Sequence, residues 1–515
     1  MAFLAFDACM RLRTALLLSI AALIPVGVAH AEELTSADFT TVKLPGADSG
    51  TEPRITVDQN DHLWAVSNAG GTAYAYGSSD HGQTFKQAPS TWTQIVPTID
   101  VDIVSMDLGE QTPRIFASEL DFGGVNFPSG YSDDGGKTWH DSQGAIKLAD
   151  QDRQWFAVGP KDPITGKPRV YLLFHNLFSG LATQNMFVAT SIDGGETFGP
   201  PVPITAPGSD AWTDLQCADS GGPSNITVNP KTGRIYAFFT TRAAPTQGAD
   251  LGGCGATPVE FNIVNGTRVW VATSANGLPG TWQDTLAVDD SSSGQVVSQQ
   301  LAYGALDNTG GVYVAYPESP KPYPDLTGSA VKLVWQDPDA SGNLDGAHWS
   351  KPITLVAPTP GRDGADLVHL AVGDPGKIDV AYFQAQDGGP DNNPAPSWYA
   401  HVIQSLDVRS VDPHITNLDV SGGIPSYQWT ASQMMGICHP TVGGQSAPST
   451  PVDGVVSGLD CDRSTDVWGI ALDKECRLTL AWPTGHGGAT GDDAGTYVST
   501  QQTGSRICTS NWQNP

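Results

Sequence analysis

The sequence predicts an all-β fold, a β-propeller in which four-stranded sheets are arranged around a central axis. Two observations predict it: one turn sequence occurs three times at a regular interval, and short apolar segments of strand length recur along the chain. The composition agrees, because 58 glycines and 38 prolines among 515 residues indicate many turns and 14 tryptophans supply a core. A disordered or mainly helical chain is therefore excluded.

The repeated turn reads Ser-x-Asp-x-Gly-x-Thr followed by an aromatic residue. Side chains of Ser and Asp accept backbone N–H groups in such turns, Gly provides a positive φ, and Thr with the aromatic residue begins the next strand. The residues that carry the pattern are Ser78, Asp80, Gly82, Thr84, Phe85, Ser132, Asp134, Gly136, Thr138, Trp139, Ser191, Asp193, Gly195, Thr197 and Phe198. Two weaker copies follow at 274–282 and 337–349.

Strand-like apolar segments recur in a fixed order around these turns. The first strand of the unit is predicted at 54–58, 155–159, 225–229, 369–373 and 469–473. The second is predicted at 62–66, 169–173, 234–238, 312–316, 378–382 and 477–481. With the pair 101–107 and 114–117, the pattern predicts seven four-stranded blades, since continuous apolar strands require burial on both faces. Six blades remain the alternative, with the second or the fifth copy as a decoration.

The last copy provides three strands and no fourth. Residues 39–44 precede the first copy and have the composition of a strand. We therefore expect this N-terminal segment to complete the last blade and close the ring. Residues 32–515 are expected to form one propeller domain, with a disulfide-stapled insertion around residues 422–462 that is either a rim of the site or a decoration.

Residues 1–31 have the pattern of an export signal. Basic Arg11 and Arg13 precede an apolar run at 14–28, and Ala29-His30-Ala31 then provides the small-x-small cleavage pattern. That run is too short for a membrane span, and no second segment approaches the necessary length. We expect a secreted protein, extracellular or periplasmic after cleavage near Ala31, without a membrane span and monomeric.

Six cysteines follow the export signal, and we expect them to form disulfides. Their spacing contains no C-x2-C pair of the kind that zinc sites use, and export favours oxidation. Fifteen pairings are possible for six cysteines; pairing between sequence neighbours closes modest loops and is the one we predict. The predicted pairs are Cys217 with Cys254, Cys438 with Cys461, and Cys476 with Cys508.

The charge balance excludes nucleic acid as a partner. The chain has 26 Lys and Arg against 54 Asp and Glu, a net charge of −28, whereas phosphate backbones are bound by basic residues. Acidic segments at 387–393 and at Asp289–Asp290 offer oxygen ligands of the type that calcium prefers. Neither has an ordered calcium motif, so we predict no cofactor and leave a structural calcium ion open.

The repeated turns resemble the Asp box, or bacterial neuraminidase repeat, of the sialidase superfamily, over roughly residues 52–503. The resemblance implies boxes at the blade periphery, away from the active site, and a glycan or glycoconjugate as partner. It also implies arginines that hold a substrate carboxylate, a Tyr nucleophile paired with Glu, and an Asp acid/base. The first family arginine lies in Arg-Ile-Pro; this chain reads Pro53-Arg54-Ile55, and the sequence does not identify the other groups.

Loops that enter the innermost strands and loops that join the second and third strands share one face of a propeller, the mouth. Polar residues expected there are Glu52, Arg54, Asp100, Asp102, Asp150, Asp152, Arg153, Asp219, Asp366, His369, Asp462, Arg463, Asp466, Glu119, Asp121, His175, Asn176, Arg242, Gln384 and His486. The catalytic candidates are Arg54, Asp152, Arg153 and His175. Arg153 would capture an anion with Asp152 as acid/base, or form an ion pair that fixes the blade entry. His175 would shuttle a proton or be a polar strand end.

The sequence thus predicts a secreted sialidase-like protein that acts on glycans as a glycoside hydrolase. A non-catalytic propeller that binds a glycan or a protein is one alternative. A polysaccharide lyase, with His175 or His369 and a Tyr as base and acid, is another. Two carboxylates about 5–10 Å apart at the mouth would indicate a hydrolase, and His and Tyr beside Arg a lyase.

Overall fold

The computed structural model describes the greater part of the chain. The described residues are 33–47, 52–69, 72–93, 100–120, 127–143, 151–176, 185–215, 221–243, 266–297, 301–320, 328–358, 364–385, 397–428, 436–437, 461–462, 468–484 and 495–509. Within these ranges a 3-10 helix, Ser36–Asp38, leads into β1 (Phe39–Lys43), and a short helix α1 (Asp210–Leu215) follows the third blade. No helix in the described ranges is long and apolar enough to cross a membrane.

Seven antiparallel sheets form seven blades, as predicted. Blade 1 contains β2 (Arg54–Val57), β3 (Leu63–Ala69), β4 (Thr72–Ser78) and β5 (Lys86–Gln87), and blade 2 contains β6 (Val101–Met106), β7 (Arg114–Glu119), β8 (Ser129–Ser132) and β9 (His140–Asp141). Blade 3 contains β10 (Gln151–Lys161), β11 (Pro168–Asn176), β12 (Met186–Ser191) and β13 (Val202–Pro203). Blade 4 contains β14 (Gly221–Val228), β15 (Ile235–Thr241), β16 (Arg268–Ser274) and β17 (Gln283–Asp289).

The remaining blades follow the same order. Blade 5 contains β18 (Tyr303–Leu306), β19 (Val312–Glu318), β20 (Ala330–Gln336) and β21 (Ile353–Val356). Blade 6 contains β22 (Ala365–Val372), β23 (Ile378–Ala385), β24 (Ser397–Ser405) and β25 (Thr416–Asp419), and β26 (Tyr427–Gln428) also pairs with β24. A parallel pair, β27 (Gly436–Ile437) and β28 (Cys461–Asp462), comes next. Blade 7 contains β29 (Gly469–Leu472), β30 (Leu478–Thr484) and β31 (Gly495–Gln501).

The N-terminal strand closes the ring, which confirms the predicted closure. β1 pairs antiparallel with β31, from Phe39 opposite Gln501 to Lys43 opposite Tyr497. The innermost strands β2, β6, β10, β14, β18, β22 and β29 each contact the next, and β29 contacts β2. Second strands such as β7, β15 and β30 are buried at every residue, because each lies inside a blade packed between two others. This burial explains their continuous apolar sequences.

The three repeated turns join third and fourth strands on the face opposite the mouth, here called the distal face. In the first, the Ser78 hydroxyl accepts the Gly82 N–H at 3.0 Å, and Asp80 accepts both the N–H and the hydroxyl of Thr84. The second and third copies repeat these bonds. Gly82 has φ +78°, which explains the glycine. A related turn in blade 6, where Asp407 N–H donates to the Ser405 hydroxyl, escaped the sequence analysis.

One predicted disulfide lies within the described residues, and it is formed. Cys476, in the turn between β29 and β30, is bonded to Cys508, which follows β31. Of the other four cysteines, Cys217, Cys254 and Cys438 lie outside the described residues, as does most of the insertion around 422–462, so their two pairs stay predictions. The bond attaches the segment after β31 to blade 7. That segment also reaches blade 6, since Asp374 N–H donates to the Ile507 carbonyl.

Removal of this disulfide is expected to weaken the last blade. The Cys476→Ser/Cys508→Ser double variant should lose roughly 3–4 kcal/mol of unfolding free energy, because the unfolded chain regains the freedom of a closed loop. Urea denaturation of the variant and of the parent measures the loss. The parent in reducing agent should approach the variant; identical midpoints for the oxidised parent and the variant would contradict the expectation.

A carboxyl group buried inside blade 6 makes stability depend on pH. Asp379, on β23, is 0% exposed, and its Oδ1 accepts a hydrogen bond from Gln404 Nε2 at 2.9 Å. Its other oxygen has no hydrogen-bond partner among the described residues. Burial raises the pKa of Asp379 to about 7, although the bond from Gln404 opposes the shift. The carboxyl group is therefore neutral in acid and becomes a buried charge in mild alkali.

The Asp379→Asn variant should be more stable than the parent in mild alkali. Because the pKa of the folded state lies above that of the unfolded state, parental stability decreases as pH rises from about 4 to about 7. At about pH 8 the variant should gain up to about 4 kcal/mol, and near pH 4 the two should agree. Urea denaturation across this range measures the difference, with exposed Asp412→Asn as the matched control. Parallel pH profiles for Asp379→Asn and the parent would contradict it.

Candidate functional site

Arg54 lies at the mouth end of the central channel and contacts four other blades. Its Nε and Nη2 donate to Asp102 Oδ1 at 3.3 Å and to the Tyr303 hydroxyl at 3.2 Å, and Nη1 donates to the Trp468 carbonyl at 3.2 Å. The guanidinium lies over the Trp155 ring, 4.7 Å from its centroid. The residue is 9% exposed. It begins β2, the first innermost strand, so the blade entry itself places it on the axis.

Asp102 is the carboxylate partner of Arg54 and is 2% exposed. It also accepts the backbone N–H of Ile103 at 2.9 Å and that of Phe156, from blade 3, at 2.7 Å. Burial raises the pKa of Asp102, against the attraction of Arg54 and the two N–H groups. This carboxylate therefore takes up a proton more readily than an exposed one while its position stays fixed by three donors.

Arg153 joins two further buried carboxylates beside this pair. Its Nη1 lies 2.9 Å from Glu52 Oε2 and 3.3 Å from Asp100 Oδ1. Both oxygens contact one nitrogen, so they lie within about 6 Å of each other, a spacing of the order that glycosidases use. Arg153 has φ +59° in a bulge of β10, an unusual conformation for a residue with a side chain. Sequence analysis predicted such an ion pair, which fixes the blade entry, as the alternative to anion capture by Arg153.

His369, on β22, packs against the same group. Its Nε2 accepts the Trp468 N–H at 3.3 Å, and its ring centroid lies 4.5 Å from that of Tyr303. The residue is 2% exposed, and burial together with the positive charge of Arg54 holds its pKa well below the ordinary value. The ring is therefore neutral, with its proton on Nδ1, which has no hydrogen-bond partner among the described residues.

The channel begins directly beneath these groups. A cavity of about 150 Å³ is lined at the mouth end by Arg54, Asp102 and Tyr303, and further down by apolar residues of the innermost strands. Thr56, Asn225 and Thr227 add further polar groups to the lining. The cavity therefore offers a cation, a phenol and a carboxylate together with neutral hydrogen-bonding groups.

The structure places two of the four catalytic candidates in this cluster, Arg54 and Arg153. His175 is buried at the end of β11, where its backbone pairs with Asp152 and Met186. The side chain of Asp152 is not among those that the structure describes. Sequence reasoning missed Tyr303, because the first strand of the fifth copy was not assigned; the segment Tyr303–Leu306 before β19 was the signal available.

A group with metal-ligating side chains lies on the distal face. Ligand atoms of Asp61, His81 and Asp473 lie within 4.8 Å of one another, the one such trio found in the described ranges. Arg477 Nη1 donates to Asp473 Oδ2 at 3.2 Å, and the His81 side chain is 39% exposed. This trio lies at the junction of blades 1 and 7, on the opposite face from Arg54.

Comparisons with known proteins give structural likeness only. No family model matches the chain, and no curated protein matches it. A polysaccharide lyase of family PL25, an ulvan lyase, shares 11% identity at a TM-score of 0.46, over 89% of this chain and 95% of its own. The α-L-arabinofuranosidase Arb93A from Fusarium graminearum shares 13% at 0.41, over 72% and 98%. A protein of unknown function from Dyadobacter fermentans shares 10% at 0.42, over 92% and 99%.

His369 is expected to stay neutral in mild acid. Its ring resonances, assigned by comparison with a His369→Gln variant, should not titrate between about pH 7.5 and pH 5, because burial and Arg54 both disfavour the imidazolium. NMR spectra across this range, with free imidazole as internal reference, measure the titration. A midpoint near the ordinary histidine value of 6.5 would show instead that water reaches the ring.

Proposed function

We propose that this protein is a secreted, monomeric, sialidase-like propeller that acts on glycans as a glycoside hydrolase, with its catalytic centre at the mouth. The observation that carries the proposal is the convergence of Arg54, Tyr303 and Asp102, from three blades, at the mouth end of the channel. The disulfide between Cys476 and Cys508 supports export, since such bonds persist in oxidising compartments.

Arg54 suits the role of a carboxylate-binding residue. A guanidinium has five N–H donors, and three hydrogen bonds are made within the described residues. Two donors are therefore left for a ligand, and Trp155 beneath the guanidinium keeps its plane in position. Planar, bidentate recognition of a carboxylate is the interaction that arginine provides best. This favours a glycan with an acidic sugar.

Tyr303 suits the role of nucleophile in the sialidase-like mechanism. Its hydroxyl oxygen would form a bond to the anomeric carbon as the glycosidic bond breaks, and its proton would pass to Asp102, which burial makes more basic. Asp152 keeps its proposed role as the acid that protonates the leaving oxygen, with His175 as proton shuttle. Arg153 would position Glu52 and Asp100 beside them.

A specific observation favours a polysaccharide lyase as the second candidate. A neutral His369 packs on Tyr303, and Tyr303 contacts Arg54. In this chemistry Arg54 would neutralise a uronate carboxylate, and Tyr303 would remove the neighbouring carbon-bound proton and deliver it to the leaving oxygen as the carbon–oxygen bond breaks. The product would contain a carbon–carbon double bond, which hydrolysis does not form.

Turnover assays on a sialoglycoconjugate and on uronic acid polysaccharides test the proposal. Tyr303→Phe should lower kcat at least about 100-fold, because it removes the reacting hydroxyl. Arg54→Lys should raise KM more than it lowers kcat, since the charge is kept and the bidentate geometry is lost. Tyr131→Phe and Arg234→Lys, the same changes made away from the mouth, should behave as the parent.

The products decide between the candidates. New reducing ends without ultraviolet absorbance support the hydrolase, whereas an unsaturated product would replace it by the lyase. Full activity of Tyr303→Phe would contradict both mechanisms. Binding without turnover on every substrate would make this a recognition propeller.

A further inference from the structure

A second polar cluster lies between blades 4 and 5, above an apolar interface. Tyr316 and Glu318 alternate along β19 and face blade 4, where Tyr316 packs in a cluster with Phe238 and Val271. Lys332, on β20, lies directly opposite Tyr316 in the ladder and so shares its face. Asp290, which follows β17 of blade 4, completes the cluster. Four polar side chains from two blades thus meet at one interface.

The backbone fixes these groups in place. Val296 and Ser319 exchange N–H to carbonyl hydrogen bonds of 2.9 Å in both directions, which joins the segment after Asp290 to the end of β19. Within the cluster the Lys332 ammonium contacts Glu318 Oε2, and the interaction with Glu318 helps to raise the pKa of the Asp290 carboxyl group. Two carboxyl groups that interact in this way share a proton or a cation.

Tyr316 adds an independent observation. The residue is 0% exposed, and its hydroxyl has no hydrogen-bond partner among the described residues. Burial and the negative charges of Glu318 and Asp290 raise the pKa of this phenol. A buried hydroxyl that is close to two carboxylates and bonded to neither calls for a polar ligand between them.

We propose that Asp290, Glu318 and the Tyr316 hydroxyl bind a calcium ion that joins blades 4 and 5. Carboxylate, hydroxyl and carbonyl oxygens are the ligands of hard divalent cations, and calcium tolerates the irregular geometry of such a site best. Water would complete the coordination. Asp289, the other half of the acidic pair in the sequence, is not a ligand, because it accepts bonds from Ser291 and Arg268.

One charged group competes with the cation. The ammonium of Lys332 contacts Glu318 Oε2, so calcium has to move this ammonium away from the carboxylate.

Calorimetric titration of chelator-treated full-length protein with calcium chloride tests the site. The parent should bind calcium at about pH 7.5. Asp290→Asn should weaken binding at least about 10-fold, whereas Lys332→Gln should strengthen it by removing the competing charge. Tyr316→Phe should weaken binding with the fold intact, and exposed Asp412→Asn should bind as the parent does.

Several outcomes would overturn the proposal. They are the absence of calcium binding by the parent, undiminished binding by Asp290→Asn, and weaker binding by Lys332→Gln. Loss of binding in Asp61→Asn with retention in Asp290→Asn would place the ion in the distal trio instead. Circular dichroism of each variant separates loss of the site from loss of the fold.

Discussion

The arrangement of the mouth depends on the pairing of buried charges, first of all Arg54 with Asp102. A guanidinium removed from water is costly unless donors and acceptors surround it, and here the acceptors come from blades 2, 5 and 7. Arg153 repeats this requirement with Glu52 and Asp100. The entries of blades 1, 2 and 3 must therefore come together in one fixed arrangement. The groups proposed for catalysis are held by the same interactions that assemble the ring.

Local sequence patterns predicted most of the fold. The three repeated turns depend on side chains within eight residues of one another, and each forms the expected bonds. The closing strand β1 and the bond between Cys476 and Cys508 followed from counting strands and neighbouring cysteines. The turn between the third and fourth strands of blade 5 lacks the repeated Ser-x-Asp-x-Gly-x-Thr pattern. There Arg409 of blade 6 binds Asp307 and Asp337 of blade 5, an interaction between blades that no local sequence pattern reveals.

The site was less predictable, since its members are far apart in sequence. The ligands of Arg54 lie 48, 249 and 414 residues away, and only the complete ring brings them together. Counting the entry loops did single out Arg54 and Arg153, which the structure places at the blade entries beside Asp102, Glu52 and Asp100. It could not indicate the bulge that gives Arg153 a positive φ, nor the contact between His369 and Tyr303. Both depend on how neighbouring blades pack.

The pairing of β1 with β31 has a consequence for biogenesis. The first strand to leave the ribosome receives its partner only after the last strand has been synthesised, so a growing chain cannot complete the ring. Until then β1 lacks its neighbour, and unpaired edges invite association with other chains. Late completion is compatible with transport of the polypeptide in an unfolded state. The topology thereby postpones the closed ring until the whole polypeptide has been synthesised.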